Sequence, residues 1–163
     1  LKDPIDLLRE RENIFLLSFL KIKEIKLMTL TYNGDGLRMS KTVDGTTTNH
    51  IWDGTNIAGD VTNGTVTKYI RGLQLISSKN GSNENFYNFN GHGDVVQLTN
   101  GSGSITKQYS YDAFGVEQNK ADNDVNPFRY CGEYFDTEVD SVYLRARYYR
   151  PEVSYPKILF RAD

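Results

Sequence analysis

Residues 89–101 read Phe89-Asn90-Gly91-His92-Gly93-Asp94-Val95-Val96-Gln97-Leu98-Thr99-Asn100-Gly101. An aromatic leads into an Asx-Gly pair, a short β-branched run follows, and a second Asn-Gly closes it. Asx and Gly supply the positive-φ positions of a type I′ turn, the tightest way to reverse a strand. The stretch therefore predicts a hairpin, and the same pattern recurs on both sides of it. All 14 glycines lie between Gly34 and Gly132. Eight follow Asn or Asp: Gly34, Gly36, Gly45, Gly54, Gly64, Gly81, Gly91 and Gly101. No proline occurs from residue 5 to 126. A mostly helical protein is excluded across this region.

Strands are predicted at Arg38–Val43, Thr47–Trp52, Thr65–Arg71, Leu73–Ser78, Glu84–Phe89, Val95–Thr99 and Ile105–Tyr111. Each is short, rich in β-branched and aromatic residues, and bounded by Gly or Asx. A loose repeat runs through them, an aromatic followed by Asx and a glycine. It begins at Tyr32, Trp52, Tyr69, Phe89 and Tyr111, with spacings of 20, 17, 20 and 22. A period near 20 implies stacked supersecondary units sharing one core, because a single hairpin cannot bury its own aromatic.

The chain divides into residues 1–28, 29–120, 121–150 and 151–163. Residues 1–28 carry 11 charged residues and no glycine. Asp3-Pro4 suits a helix start, so a flanking helix is expected there. Its apolar run Ile14–Leu20 needs burial or a partner. That run lacks the flanks of a signal peptide, and no apolar run reaches the ~18 residues of a membrane span. Net charge is −2, from 19 basic and 21 acidic residues, which argues against nucleic-acid binding. One cysteine, Cys131, rules out an internal disulfide, and with His50 and His92 it offers too few donors for a metal assignment. No cofactor is expected.

The third zone holds Asn126-Pro127-Phe128-Arg129-Tyr130-Cys131-Gly132-Glu133-Tyr134-Phe135-Asp136, then Val142-Tyr143-Leu144-Arg145-Ala146-Arg147-Tyr148-Tyr149. With Tyr111-Asp112-Ala113-Phe114-Gly115 and Phe89–Val95, this ordered series resembles the RHS/YD-repeat proteins, specifically their repeat-associated core, over about residues 29–150. The resemblance implies an all-β strip of YD-repeat hairpins, part of a β-sheet that spirals into a hollow shell around a C-terminal toxin or other effector. It makes Tyr111, Asp112, Gly115, Pro127, Phe128, Arg129, Tyr130, Gly132, Tyr134, Asp136, Tyr143, Leu144, Arg145, Ala146, Arg147, Tyr148 and Tyr149 a structural core motif. It implies a secreted or cell-surface protein. The partners implied are the rest of the shell or an effector, with self-association possible through sheet edges. The chain departs from the family at Asp140, where a glycine is usual, and at Arg150, where an aspartate is usual. It also lacks the Gly-Arg-Phe stretch and cleavage motif after Tyr149. The loss after Tyr149 reads as a truncation or frame change, and the start at Leu1 as a fragment, a processed piece or an unusual start.

Asp136, Glu138 and Asp140 could form a carboxylate cluster, though a polar turn predicts solvated carboxylates. Cys131 with His92 could be a nucleophile and base, against a buried cysteine on a strand. Asp53, Asp60, Asp94 and Asp112 could supply a self-cleaving pair. Arg145 and Arg147 would share one face of a strand, lining an effector cavity or stacking on tyrosines. Tyr148 and Tyr149 with these arginines could bind RNA. The balance is a non-enzymatic, structural shell portion. The alternatives are an aspartate-dependent self-cleaving core and an adhesion module for glycan or protein.

Overall fold

The computed structural model describes residues 27–118, 120–121 and 123–151. Nine strands form one antiparallel sheet in chain order: β1 (Met28–Tyr32), β2 (Arg38–Val43), β3 (Thr46–Asp53), β4 (Asn56–Thr62), β5 (Thr65–Arg71), β6 (Leu75–Asn80), β7 (Asn83–Phe89), β8 (Val95–Thr99) and β9 (Ile105–Gln108). A second antiparallel sheet contains β10 (Tyr134–Asp136), β11 (Ser141–Tyr143) and β12 (Tyr148–Tyr149). The all-β hairpin fold is as expected. Among the described residues no helix is long and apolar enough to cross a membrane.

Two kinds of reversal stand out among the turns. The true type I′ candidates are Asp44-Gly45 (φ 49° and 81°) and Asn63-Gly64 (φ 50° and 77°). The other kind is a longer turn in which an Asx side chain serves as the hub. The Oδ1 of Asn33, Asn90, Asn100 and Asp112 each accepts two backbone N–H groups, two and four residues on, at 2.8–3.1 Å. The glycine three residues on (Gly36, Gly93, Gly103 or Gly115) takes positive φ. In three of these turns the left-handed glycine is thus not the one next to the Asx. The Asx side chain substitutes for a backbone acceptor there.

The repeat has a second structural signature. Thr31 opposes Ser40 but Tyr32 opposes Arg38, so Met39 is left without a partner. The same shift occurs at Trp52–Ile57, Arg71–Leu75, Phe89–Val95 and Thr99–Ile105. An extra residue reverses the in/out alternation beyond it. Arg38 and Lys41, which strict alternation would send to opposite faces, therefore share one face.

On that face lies the core: Ile57, Tyr69, Leu75, Tyr87, Val95, Leu98 and Tyr109 from the large sheet region meet Phe128, Tyr134, Tyr143 and Tyr148 from the C-terminal layer. The opposite face leaves Ile51, Val66 and Ile70 exposed.

Several expectations are corrected. Strands β1 and β4 lie outside the strands expected from the sequence. Asn56-Ile57-Ala58-Gly59-Asp60 is poor in strand formers. Gly59 is nonetheless useful there, since a Cβ on it would sit 3.1 Å from the Thr67 carbonyl oxygen and 3.6 Å from Ile51. The helix expected over 1–28 falls on residues outside those described, except that Met28 opens β1. The last strand of the sheet ends at Gln108, and Tyr111 bridges Glu117 instead. The expected short tail 151–163 lies outside the described residues beyond Pro151, which is buried in a turn.

Candidate functional site

Six core tyrosines pose a physical problem: each buried hydroxyl needs a partner. Three polar residues solve it. Tyr69 and Tyr134 both donate to Asp60 Oδ2, at 2.9 and 3.0 Å. Tyr87 donates to Asn126 Oδ1 at 2.7 Å, and Asn126 Nδ2 donates to the Tyr109 hydroxyl at 3.1 Å. The Arg38 backbone N–H donates to the Tyr143 hydroxyl at 2.9 Å, and Arg38 Nη1 donates to the Tyr148 hydroxyl at 2.9 Å. Two of these hubs lie on the large sheet and one in the C-terminal layer, so the tyrosines tie the layers together. Burial raises the phenol of Tyr87 to about 12, those of Tyr69 and Tyr109 higher still and that of Tyr134 well above its ordinary value, so all four stay protonated.

Arg38 is the centre of a buried ionic network. Its side chain and that of Asp136 are both fully buried, with Nη1 2.5 Å from Oδ2. Lys41 donates to the other carboxylate oxygen at 2.9 Å and also reaches Glu138. Arg38 Nε donates to His50 Nε2 at 3.1 Å, which assigns the proton of the neutral ring to Nδ1, 2.6 Å from Asp60 Oδ1. Among the described residues Arg38 Nη2 has no acceptor, but the guanidinium lies 4.2 Å from the Tyr143 ring centroid. Burial pushes the Asp136 carboxyl up; the Arg38 and Lys41 cations outweigh it and hold it below its usual range. Exposed pairs contribute about 0–1 kcal/mol. Breaking one this deep leaves an uncompensated charge and costs about 3–5 kcal/mol.

The remaining motif residues make the C-terminal layer. Pro127 O accepts from Phe135 N at 2.7 Å, and Phe128 packs edge-on against Tyr69, Tyr87 and Tyr134. Arg129 is buried and pairs with Glu117 at 2.8 Å and Asp124 at 3.4 Å. Tyr130 stacks on Tyr149 and lies against Gly115, where an added Cβ would be 2.5 Å from its ring. Gly132 has φ 65°. Asp112 holds its own turn as described.

Four chemical expectations are corrected. Asp136 is not a solvated turn carboxylate; the cations that bury it come from a strand 98 residues away in sequence. Cys131 is not a buried strand residue: it is exposed, in a turn, with φ 54°. Arg145 and Arg147 do not share a strand face. Leu144 N donates to Arg147 O, closing a turn through Ala146, with Arg145 at φ 61° and bonded to Glu133 at 2.7 Å. Tyr148 is buried against Arg38 and presents no open stacking platform. Of the four candidate aspartates, Asp60 and Asp94 are hydrogen-bond hubs, Asp112 holds a turn, and Asp53 lies exposed at the end of β3.

The structure does bring His92 and Cys131 together, 39 positions apart. Asp94 joins them: Oδ1 lies 2.9 Å from His92 Nδ1 and accepts the Cys131 backbone N–H at 2.9 Å. Burial, with Asp94 and Glu133 nearby, pushes the Cys131 thiol up, which opposes its use as a nucleophile. No spacing rule could have linked these residues, because the link is the docking of one turn on another. The same holds for the hubs Arg38, Lys41, His50 and Asn126, of which only Asn126 fell inside a quoted motif.

No family model matches the chain. In sequence the chain is similar to the tRNA3(Ser)-specific nuclease WapA of Bacillus spizizenii, 36% identical over 132 residues. It is also similar to the tRNA nuclease WapA of Bacillus subtilis (35%) and the tRNA(Glu)-specific nuclease WapA of Bacillus subtilis subsp. natto (36%). Each match covers 76% of this chain and 6% of the relative. The non-enzymatic expectation is therefore overturned, since these relatives are named as tRNA nucleases. In fold, the chain is similar to crystal structures of TcdB2-TccC3-TEV (TM-score 0.58, 17% identity, 77% of this chain and 7% of that one) and TcdB2-TccC3 (TM-score 0.55, 17% identity, 76% and 7%). Both comparisons agree with the resemblance to RHS-type proteins read from the sequence, and the chain spans only about 6–7% of the length of the proteins it matches.

Proposed function

We propose that this chain forms part of the wall of an RHS-type shell, its C-terminal layer being the repeat-associated core latched to one face of the strip. One observation carries the reading. Among the described residues the nine-stranded sheet runs in strict chain order, with the outer edges of β1 and β9 unpaired. Such a strip extends by adding hairpins, and unpaired edges invite a further strand. A second point supports a scaffold role. Relatives named for different tRNA specificities match this segment equally, at 36% identity each. A segment shared so evenly is a poor place to encode that difference.

For the whole protein, this reading makes tRNA cleavage the activity to test, and the effector, the remaining shell and a secreted or cell-surface setting its context. Electron microscopy of the product expressed from the complete gene tests the shell. A closed, hollow particle is expected; a string of separate domains sinks the proposal. Bulk tRNA incubated with the same product should be cut at a defined position.

A glycan-binding reading also has a specific observation in its favour. A cleft of about 320 Å³ beside Asn126-Pro127 is lined by Thr67, Asn80, Asn83, Asn85, Thr106 and Tyr87, a wall of amides and hydroxyls beside an aromatic. A glycan array decides it, and no signal above background removes it.

A further inference from the structure

His92, Asp94 and Cys131 lie in two segments that the fold presses together. His92 and Asp94 belong to the Asx turn held by Asn90; Cys131 sits in the turn Tyr130–Gly132. The two turns are fastened by Val95 N donating to Arg129 O at 3.0 Å and by Cys131 N donating to Asp94. Their contact is close enough that a Cβ on Gly132 would meet Phe89 at 3.3 Å and the Gly93 carbonyl oxygen at 3.4 Å. The imidazole nitrogen, the carboxylate oxygen and the thiol sulfur then lie within 4.8 Å of one another.

We propose that these three side chains bind a borderline divalent transition cation of the zinc class. A nitrogen, an oxygen and a sulfur donor together select such an ion over Mg²⁺ or Ca²⁺, which take oxygen ligands. Zinc–ligand bonds of about 2.0–2.3 Å need donors roughly 3.3–3.8 Å apart. His92 and Cys131 can close that gap by side-chain rotation, since both are solvent-exposed; the His92 side chain is 59% accessible. Asp94 is the fixed point, its side chain 8% accessible and anchored by Asn90 Nδ2 at 2.8 Å. On binding, the Cys131 S–H bond breaks, a sulfur–metal bond forms, and the proton leaves to solvent. The neutral imidazole coordinates through its unprotonated nitrogen and keeps its proton on the other. Three protein donors leave a fourth position for water or an added ligand.

The test is a Co²⁺ titration of the full 163-residue chain, kept reduced with a phosphine. The chain has one cysteine, so a near-ultraviolet thiolate-to-cobalt absorption reports Cys131 alone. Expected are one equivalent bound, displacement by Zn²⁺, and loss of the band in Cys131→Ser. In His92→Ala the affinity should fall about tenfold or more. Cys131→Asn serves as a second thiol-free variant, because Asn tolerates the left-handed backbone at this position. Absence of the band in the unmodified chain overturns the proposal. So does a band whose affinity is unchanged in His92→Ala.

Discussion

At the scale of single residues, Asp136 decides most. It is fully buried between two cations that no local pattern connects to it. Replacing it by Asn leaves Arg38 without its counter-charge and Lys41 with Glu138 alone, and we expect a loss of about 3–5 kcal/mol in urea unfolding. The pH dependence follows from the lowered carboxyl. Its folded value lies below the unfolded ~3.9, so its contribution is complete above about pH 4 and is lost as pH falls through the folded value. The stability gap between the unmodified chain and Asp136→Asn should therefore stay constant from pH 7 to about 4 and narrow below. A gap that shrinks between pH 7 and 5 would contradict the assignment. Glycine gives a second contrast. Gly36 and Gly115 occupy the same place in equivalent turns, with φ 74° and 86°. Among the described residues nothing lies within 4 Å of a Cβ at Gly36, whereas one at Gly115 strikes the Tyr130 ring at 2.5 Å. Gly36→Ala should cost about 1–2 kcal/mol, the left-handed penalty alone. Gly115→Ala should cost clearly more and disturb the near-ultraviolet tyrosine signal.

At the scale of elements, the Asx turn is a cassette whose worth depends on what is packed on it. Asn100 and Asp112 accept equivalent pairs of backbone N–H groups. The 100–104 turn faces solvent, where water can replace the lost acceptor, so Asn100→Ala should cost about 1 kcal/mol. The 112–116 turn supports Tyr130 through Gly115, so Asp112→Ala should cost about twice that, read from thermal unfolding. The repeats were legible at this scale because Asx, Gly and aromatic residues act locally: they set φ or accept neighbouring N–H groups. The five register shifts were not. A bulge changes which residues share a face, and nothing in Arg38-Met39-Ser40-Lys41 announces that its two cations will point the same way. The Leu144–Arg147 turn escaped for a related reason, as Arg145 stands in left-handed backbone without being Gly, Asn or Asp.

At the scale of the whole molecule, the large sheet and the C-terminal layer share one core. Truncation after Ala121 would remove Phe128, Tyr134, Tyr143 and Tyr148 from the cluster and strand Arg38, Lys41 and His50 on an open face. We expect that product to bind a hydrophobic dye and lose cooperative unfolding; a sharp, native-like transition would show that the sheet stands alone. The sequence by itself determined the all-β class, the hairpin repeat near 20 residues and the C-terminal motif as its companion. Those properties rest on turn chemistry and strand propensity, which act over a few residues. Only the tertiary structure decided that tyrosine hydroxyls converge on Arg38, Asp60 and Asn126, that Asp136 is a buried anion, and that His92, Asp94 and Cys131 form one cluster. Each of these depends on two layers meeting at a specific register. Burial, counter-charge and donor geometry at that meeting belong to the contact, and neither segment carries them alone.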